Sequence, residues 1–442
     1  MRKSRLAMVG AIGLTAVLAL SACSGSGTGS ASGSGNGTIN SAVNGKGKTL
    51  TVWAMTGDLS PKTLAAINAK FTKDTGAKVT VQTQQWTDIA TKITTALATS
   101  TPPDVIDIGN TQVATFAANG GLLDLTAYQK DLEQGQTWLG GLVEPATVNG
   151  KLFGVPSFGA ARAVIYNKNI WNAAGVTAEP TTYDALGAAL DKVKAANTAS
   201  DFSTFYMPGQ YWYAGLQWMW DAGGSIAAQS GSTWKAGFSS SNAQTGLTAW
   251  KAFQNKYSSV PSQTLNTDKP DQDQLFADGK VSAILGNNWE LGAIEKDNPK
   301  LTSDVLGSFP MPGISGKNQP ALLAGSDWGI AQKSKNHDLA LAWAKIAASP
   351  SIQNNYVFAQ DKWIPNSVEG AAAAVKGGTL AANQSSFFTA AQRSKATPAS
   401  GNWAQLEDPG MLQFFQTIAS GSKSVSDAAT SWDATVNTTL NG

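Results

Sequence analysis

Two hydrophobic periods alternate along residues 49–121, and this alternation constrains the fold more than any other feature of the chain. Short runs of apolar and β-branched residues are typical of buried strands, and they are separated by segments whose apolar residues recur every three or four positions, as in helices. The predicted elements are a strand at 49–55, a helix from Ser60-Pro61 to Gly76, a strand around Val79 and Val81, a helix through Ile89, Ile93 and Leu97, a strand at 104–108 and a helix ending at Gly120-Gly121. This order predicts an α/β fold with a mostly parallel sheet covered by helices.

Polar, glycine-bearing segments follow the first and third predicted strands. Ligands of parallel sheets bind at the carboxyl ends of the strands. Those ends are residues 55–58 and 109–112, which makes Asp58 and Asn110 candidate binding residues. Asp and Asn are also common in ordinary turns, and that alternative stays open.

The first 23 residues have the pattern of an export signal. Basic residues at positions 2, 3 and 5 precede a short apolar run, Leu6–Leu20, and small residues come next. The run is shorter than the roughly 20 apolar residues of a spanning helix. Leu-Ser-Ala-Cys, ending at Cys23, resembles the lipobox of bacterial lipoproteins. The chain is therefore predicted to lose a signal peptide (1–22), to carry lipid on Cys23, and to be held at the outer face of the bacterial cytoplasmic membrane.

Residues 23–48 are rich in Gly and Ser and contain almost nothing that packs. Such a sequence cannot offset the entropy lost on ordering, so it predicts a flexible linker between the lipid and the body. The body that follows is long enough for more than one hydrophobic core, since single cores stop growing near about 250–300 residues.

Composition excludes several classes of function. Lys and Arg number 32 against 30 Asp and Glu, so no basic surface for nucleic acid is expected. With one His and one Cys in the chain, zinc or iron sites of the usual ligand types are nearly excluded, and no cofactor is expected. The chain does contain 15 Trp, several of them beside Gly, Asn, Asp or Pro.

Five short motifs occur in order along the chain. They are NGKLFGVP (149–156) with RAVIYNK (162–168), AG (174–175) with PTTYDAL (180–186), FADGKVSA (276–283) with Gly286 and Trp289, SKNH (334–337), and a closing helix that contains Trp432. This set resembles the extracellular solute-binding proteins of ABC importers, most closely the oligosaccharide-binding group. Each motif alone is weak, and the set behind a lipobox is specific. The likeness covers residues 49–442.

The resemblance implies two interleaved α/β lobes joined by crossing hinge strands, the type II periplasmic-binding-protein fold. The crossing strands would fall near residues 160–165, 283–285 and 326–330. The first lobe would then contain residues 49–159 and 286–325. The second lobe would contain residues 160–285 and 328–442.

The resemblance also implies that a sugar, a di- or oligosaccharide, binds in a cleft between the lobes and passes to the membrane subunits of an ABC permease. Sugars need flat aromatic side chains for their C–H faces and polar groups for their hydroxyls. The candidate ligand-binding residues are Asp58, Asn110, Arg162, Trp212, Tyr213, Trp289, Asp327, Trp328, Trp363 and Trp403. A core position is the alternative for Trp289 and Trp328, and an ordinary salt bridge with a carboxylate is the alternative for Arg162. Ala160 stands where the family's maltose receptor has an acidic residue, so the sugar's identity does not carry over.

Two other classes of function remain open. The chain has no GxSxG motif, and its one histidine, His337, is a poor basis for a catalytic triad. A surface glycoside hydrolase needs only two carboxylates in a cleft, which Asp58, Glu290, Asp327 and Glu407 could supply. An adhesin or wall-binding lipoprotein would also expose tryptophans. We expect a receptor rather than an enzyme, acting as a monomer.

Overall fold

The structure is a computed structural model that describes residues 37–442. The predicted signal peptide, Cys23 and linker residues 23–36 lie outside the described residues. The strands are β1 (Thr49–Met55), β2 (Lys78–Gln84), β3 (Val105–Gly109), β4 (Thr147–Val148), β5 (Lys151–Leu152), β6 (Gly154–Ala160), β7 (Arg162–Asn167), β8 (Ala227–Ser230), β9 (Thr233–Ala236), β10 (Ala283–Asn287), β11 (Leu306–Phe309), β12 (Ala321–Leu322), β13 (Ala324–Ile330) and β14 (Ser394–Lys395).

Helices cover both sides of these strands. They are α1 (Pro61–Thr75), α2 (Ile89–Ala98), α3 (Val113–Ala118), α4 (Gln129–Glu133), α5 (Gly140–Val143), α6 (Lys168–Ala173), α7 (Tyr183–Ala196), α8 (Trp212–Asp221), α9 (Ser241–Tyr257), α10 (Gln272–Ala277), α11 (Glu290–Asp297), α12 (His337–Ala347), α13 (Pro350–Ile352), α14 (Val368–Lys376), α15 (Ser385–Ala391), α16 (Ala404–Leu406), α17 (Leu412–Ser420) and α18 (Val425–Asn441). None of the helices between residues 37 and 442 has the length and apolar character needed to span a membrane.

The first sheet has the strand order β2-β1-β3-β13-β6. β1 runs parallel to β2 and β3, as the alternating periods predict, while β13 is antiparallel to both β3 and β6. Local signals set the first crossover. The Ser60 hydroxyl accepts a hydrogen bond from the Thr63 N–H (3.2 Å), and Gly76 ends α1 with a φ of 74°.

The second sheet has the order β10-β7-β11, and both outer strands are antiparallel to β7. Its core is rich in aromatic residues, with Trp218 and Trp250 fully buried beside Phe253 and Phe415. A separate core under the first sheet joins α1 and α12, where Ile67, Phe71 and Trp343 are fully buried. The predicted α/β class with two interleaved lobes is confirmed.

Strand pairing divides the lobes differently from the sequence prediction. The first lobe contains residues 37–160 and 324–363, and the second contains 162–322 and 368–442. The assignment of 286–325 to the first lobe was wrong, because β10 and β11 flank β7 in the second sheet. The assignment of everything from Trp328 onward to the second lobe was also wrong, because β13 is held between β3 and β6.

The crossing points shift accordingly. The chain passes between the lobes at Ala161, as predicted near 160–165, and again at Leu323, immediately before β13. The crossing predicted at 283–285 does not exist, because these residues pair with β7 inside the second sheet. A third crossing lies at 364–367 instead, between the pairing of Ile364 with Gly159 of β6 and the start of α14. An apolar run such as Ala283–Leu285 is buried whichever sheet it joins, so its hydrophobicity could not assign it.

The described end of the predicted linker packs on the first lobe. Ile39 is buried, and its backbone N–H donates to the Asp131 carboxylate (2.7 Å). Gly45 lies so close to Ala77 and Leu339 that a Cβ would meet them at 2.6 and 2.8 Å. The prediction of a flexible linker was therefore wrong for residues 37–48, because Ile39 and the small residues around it give this segment something to bury.

Candidate functional site

A cavity of about 540 Å³ lies between the two lobes, and we call it the interlobe cavity. The first lobe contributes the carboxyl ends of its parallel strands: Thr56–Asp58 after β1, Trp86 after β2, and Asn110 and Thr111 after β3. The second lobe contributes side chains from β7, α8 and the segments before α11 and after α16. The site thus forms where parallel sheets usually bind ligands.

Aromatic rings form much of the wall. Trp289 and Trp86 are 45% and 41% exposed, which is unusual for so large an apolar side chain. Trp363 packs against both Trp289 and Phe158. Its ring centroid lies 5.8 Å from that of Trp289 and 4.7 Å from that of Phe158. The Trp363 indole N–H also donates to the Asp58 carbonyl oxygen (2.9 Å), which ties it to the β1 end.

Arg162 provides a fixed cation at the first crossing. Its guanidinium lies 4.4 Å from the Tyr213 ring centroid, its Nε donates to the Tyr211 hydroxyl (3.0 Å), and one Nη donates to the Leu322 carbonyl (3.3 Å). No carboxylate pairs with it by a salt bridge within the described part of the chain. The predicted alternative of a salt bridge was therefore wrong, and the cation is oriented by aromatic and carbonyl groups.

Asp58 is a carboxyl group at the floor of the interlobe cavity. It accepts a hydrogen bond from the Ser326 hydroxyl (2.7 Å). Burial raises its pKa to about 6, an effect that the hydrogen bonds from Ser326 and Trp86 partly oppose. Asp107 lies directly behind it, fully buried, and its pKa is held well above the usual range by burial and by the Asp58 charge. Two adjacent buried carboxyl groups cannot both ionise easily, so the pKa of each is raised.

Glu407 supplies a carboxyl group from the second lobe. Burial raises its pKa to about 7, opposed by the hydrogen bonds from Trp403 and Thr111. The Trp403 indole N–H donates to it at 2.6 Å. Asn110 is also fixed, because its amide donates to the carbonyls of Gly141 (3.0 Å) and Leu323 (3.2 Å). These groups offer a ligand both donors and acceptors from both lobes.

The structure brings six of the ten predicted site residues to the interlobe cavity and leaves four elsewhere. The six that line it are Asp58, Asn110, Arg162, Tyr213, Trp289 and Trp363. Their roles in ligand binding stay predictions. Trp403 and Trp212 are buried behind the wall. Trp403 donates a hydrogen bond to Glu407, and the ring centroid of Trp212 lies 3.9 Å from that of Tyr213 with the ring planes tilted by 31°. Their predicted place on the cavity surface was wrong.

Asp327 and Trp328 were also wrongly predicted to line the cavity. Trp328 is fully buried in the first core, with its ring centroid 4.8 Å from that of Trp343 in an edge-to-face arrangement. Asp327 is fully buried too, neither of its carboxylate oxygens has a hydrogen-bond partner, and burial raises its pKa. β13 lines the cavity with Ala324–Ser326, and the next residue, Asp327, no longer does.

Sequence reasoning missed several lining residues. Phe158 and Ser326 lie on strands, and nothing in their pattern separates a cavity position from a core position. The sequence did contain indications for Trp86 and Glu407. Trp86 follows the carboxyl end of β2, where ligands of parallel sheets bind, and Glu407 is one of the carboxylates considered for catalysis. Among residues 37–442, no group of three or more His, Cys, Asp or Glu is arranged to hold a metal ion.

Comparisons with known proteins agree with this architecture. Residues 56–354 match the family model of the bacterial extracellular solute-binding proteins. The diacetylchitobiose binding protein DasA of Streptomyces coelicolor is 31% identical over 431 residues, covering 97% of this chain and 96% of that protein.

Solved structures share the fold at lower identity. The sugar-binding protein MalE of Xanthomonas citri has a TM-score of 0.75 at 20% identity, covering 89% of this chain and 97% of that one. The GacH receptor of Streptomyces glaucescens, solved unliganded and with acarbose, has a TM-score of 0.71 at 20% identity over 89% and 98% of the two chains. On the strength of the family match and the full-length relative, this chain belongs to the bacterial extracellular solute-binding proteins.

Proposed function

We propose that the protein is the sugar receptor of an ABC importer and that it binds its ligand in the interlobe cavity. The observation that carries this proposal is the pairing of exposed indoles with fixed polar groups in one cavity. Trp86 and Trp289 present flat faces to which sugar C–H groups adhere, and Arg162, Asn110 and the two carboxyl groups offer partners to hydroxyls. Exposed apolar surface of this kind, rimmed by polar groups, commonly marks a ligand-binding groove.

We infer that the ligand closes the protein by bridging its lobes. Asp58 and Trp86 belong to the first lobe, whereas Arg162, Trp289 and Glu407 belong to the second. A ligand that contacts both sets binds the closed arrangement better than an open one, and this difference shifts the population towards closure. The three crossings, at Ala161, Leu323 and 364–367, are the places where the backbone would bend.

The first ligand to test is diacetylchitobiose, since the 31% identical relative is named for it. Binding is measured by titration calorimetry and by tryptophan fluorescence, with maltose and sucrose as comparison sugars. We expect one bound sugar per chain, a change in indole emission, and a smaller radius of gyration in X-ray scattering. No heat and no spectral change with any of these sugars, from a folded sample, would contradict the choice of ligand class.

A hydrolase remains the second candidate because Asp58 and Glu407 line the same cavity and both have raised pKa values. A glycoside hydrolase uses a protonated carboxyl group and an ionised one across the scissile bond. Chromatography of the sugar after incubation separates the two functions. A receptor returns the disaccharide intact, and a hydrolase releases monosaccharides.

We further propose that the chain is exported, cleaved before Cys23, lipidated on that cysteine and active as a monomer beside the permease subunits. A lipid anchor keeps the receptor at the membrane surface where the permease lies. Mass spectrometry of the N-terminal peptide of the native protein tests cleavage and acylation together. Cys23→Ser should release the protein into the medium, and a variant that stays on the membrane would argue against the anchor.

A further inference from the structure

The two lobes contact each other directly beside the interlobe cavity. α3 of the first lobe packs against residues 399–401 of the second lobe, and we call this contact the α3 seam. The Thr115 hydroxyl donates to the Gly401 carbonyl (3.0 Å), and Ala114 and Ala117 pack with Ala399. All three crossings of the chain lie elsewhere, so the α3 seam joins two separate surfaces and is not part of the hinge.

Each side of the α3 seam is fixed to its own lobe. Val113 and Phe116 of α3 are buried in a core of the first lobe, together with residues of β1 and β3. On the other side, Trp403 is fully buried in the core of the second lobe, and the Asn402 amide donates to the Gly442 carbonyl (3.0 Å) beside the end of α18. The two sides therefore move with different lobes.

The α3 seam continues the wall of the interlobe cavity. Thr111 lines that cavity, and its hydroxyl donates to the carboxylate of Glu407 from the second lobe. Thr115 comes four residues later, about 6 Å away along a helix that rises about 1.5 Å per residue. Because the two contacts are neighbours on one rigid element, a rotation that separates Thr111 from Glu407 also separates Thr115 from Gly401.

The approach of the lobes is closest at Gly401. A Cβ built there would lie 2.5 Å from the Ala118 Cβ and 3.7 Å from the Ala114 carbonyl oxygen. Apart from the chain neighbours of Gly401, these are the only heavy atoms of the described residues within 4 Å, and both belong to the first lobe. Gly401 does not have a positive φ, so its own backbone does not require glycine. The residue is small because the other lobe comes so near.

We propose that the α3 seam is a latch: it forms when the lobes close, stabilises the closed arrangement without contacting the ligand, and so changes the affinity for every ligand by the same factor. Thr115 and Gly401 are then positioning residues that act through closure. The inference rests on the proposed sugar receptor and adds a determinant of affinity outside the binding surface. Neither residues 113–118 nor residues 396–401 include a charged side chain, so the strength of the latch should not depend on salt.

Gly401→Ala perturbs the α3 seam alone. Its methyl group overlaps Ala118 only while the lobes are closed, and overpacking of this kind should weaken sugar binding about tenfold. Adding Ala118→Gly removes the opposing Cβ, so the double variant should bind as well as Ala118→Gly alone. Thr115→Val removes the hydrogen bond at nearly constant size and should weaken binding about fivefold.

Gly292→Ala is the matched control for the change from glycine to alanine. Gly292 lies on α11, away from the α3 seam, and a Cβ built there meets no heavy atom of residues 37–442 within 4 Å outside its own helix. It does not line the interlobe cavity, so its substitution should leave sugar affinity unchanged. Melting temperatures confirm that each variant is folded.

The test is titration calorimetry with diacetylchitobiose, triacetylchitotriose, maltose and maltotriose. We expect Gly401→Ala to raise Kd by the same factor for each sugar that binds the wild type, with rescue by Ala118→Gly. A Kd within twofold of the wild type, a loss that differs between sugars, or a failure of rescue overturns the latch and leaves the sugar receptor standing.

If no sugar binds the wild type, the receptor itself is overturned, and X-ray scattering without sugar decides the latch. Gly401→Leu places a larger side chain against Ala118, so it should shift the lobes towards the open arrangement and raise the radius of gyration above that of the wild type. Equal radii for the two folded proteins would then overturn the latch as well.

Discussion

Removing the indole of Trp289 should weaken ligand binding about 100-fold. A tryptophan side chain has up to about 250 Å² of surface. Because 45% of Trp289 is exposed, about 110 Å² is left for a ligand to cover. At about 25 cal/mol per Å², covering it contributes about 2.8 kcal/mol. Trp289→Ala loses this contribution, and 2.8 kcal/mol corresponds to about two orders of magnitude in Kd.

Calorimetry with diacetylchitobiose, or with whichever sugar binds the wild type, measures the effect. Trp234→Ala is the matched control: Trp234 is partly buried on β9 and does not line the interlobe cavity, so its loss should leave Kd unchanged. Urea unfolding of both variants separates binding from folding. A folded Trp289→Ala protein whose Kd rises less than threefold would show that the ligand does not cover this ring, and the reasoning from exposure would fail.

Three further predictions concern residues around the site. Trp328→Ala should lower the free energy of unfolding by about 3–5 kcal/mol in urea titrations, because it empties the fully buried space beside Trp343; a loss below about 1 kcal/mol would contradict its core position. Arg162→Lys should weaken sugar binding in calorimetry by about tenfold, since an ammonium group cannot both lie flat over Tyr213 and donate to Tyr211 and Leu322; unchanged affinity would remove Arg162 from the binding machinery. Burial raises the pKa of Asp327 above its ordinary value of 3.8. Above pH 3.8 the native state therefore keeps a proton that the unfolded state releases, so the free energy of unfolding falls as the pH rises. Asp327→Asn, neutral in both states, should therefore lose less stability than the wild type between pH 4 and pH 7 in urea unfolding, and parallel pH curves would contradict the assignment.

The local structure of the first lobe followed from sequence because short-range signals set it. Ser60-Pro61 and Gly76 fix the ends of α1, and the apolar residues between them at helical spacing fix the buried face. The rule that ligands lie at the carboxyl ends of parallel strands then located Asp58 and Asn110 correctly. Those steps need only neighbours in the chain and one general property of parallel sheets.

Long-range pairing was not predictable in the same way. The sequence of β13 is compatible with either sheet, and only its partners β3 and β6 decide which one it joins. Its pairing with β6 is also irregular between Ser326 and Asp327, so simple alternation does not tell which side chains face the cavity. Trp328 lies four residues, or about 13 Å, along the strand from Ala324. That distance carries it from the mouth of the cavity into the core.

The position of β13 determines when the first lobe is able to fold. β3 and β6 are both complete by residue 160, yet they meet only through a strand that begins at Ala324. During synthesis from the amino end, the edges of β3 and β6 that will contact β13 therefore stay unpaired until the second sheet has been synthesised. Such edges are templates for aggregation. The first lobe is not one continuous segment, so a fragment ending at residue 160 lacks β13 and its sheet should remain incomplete.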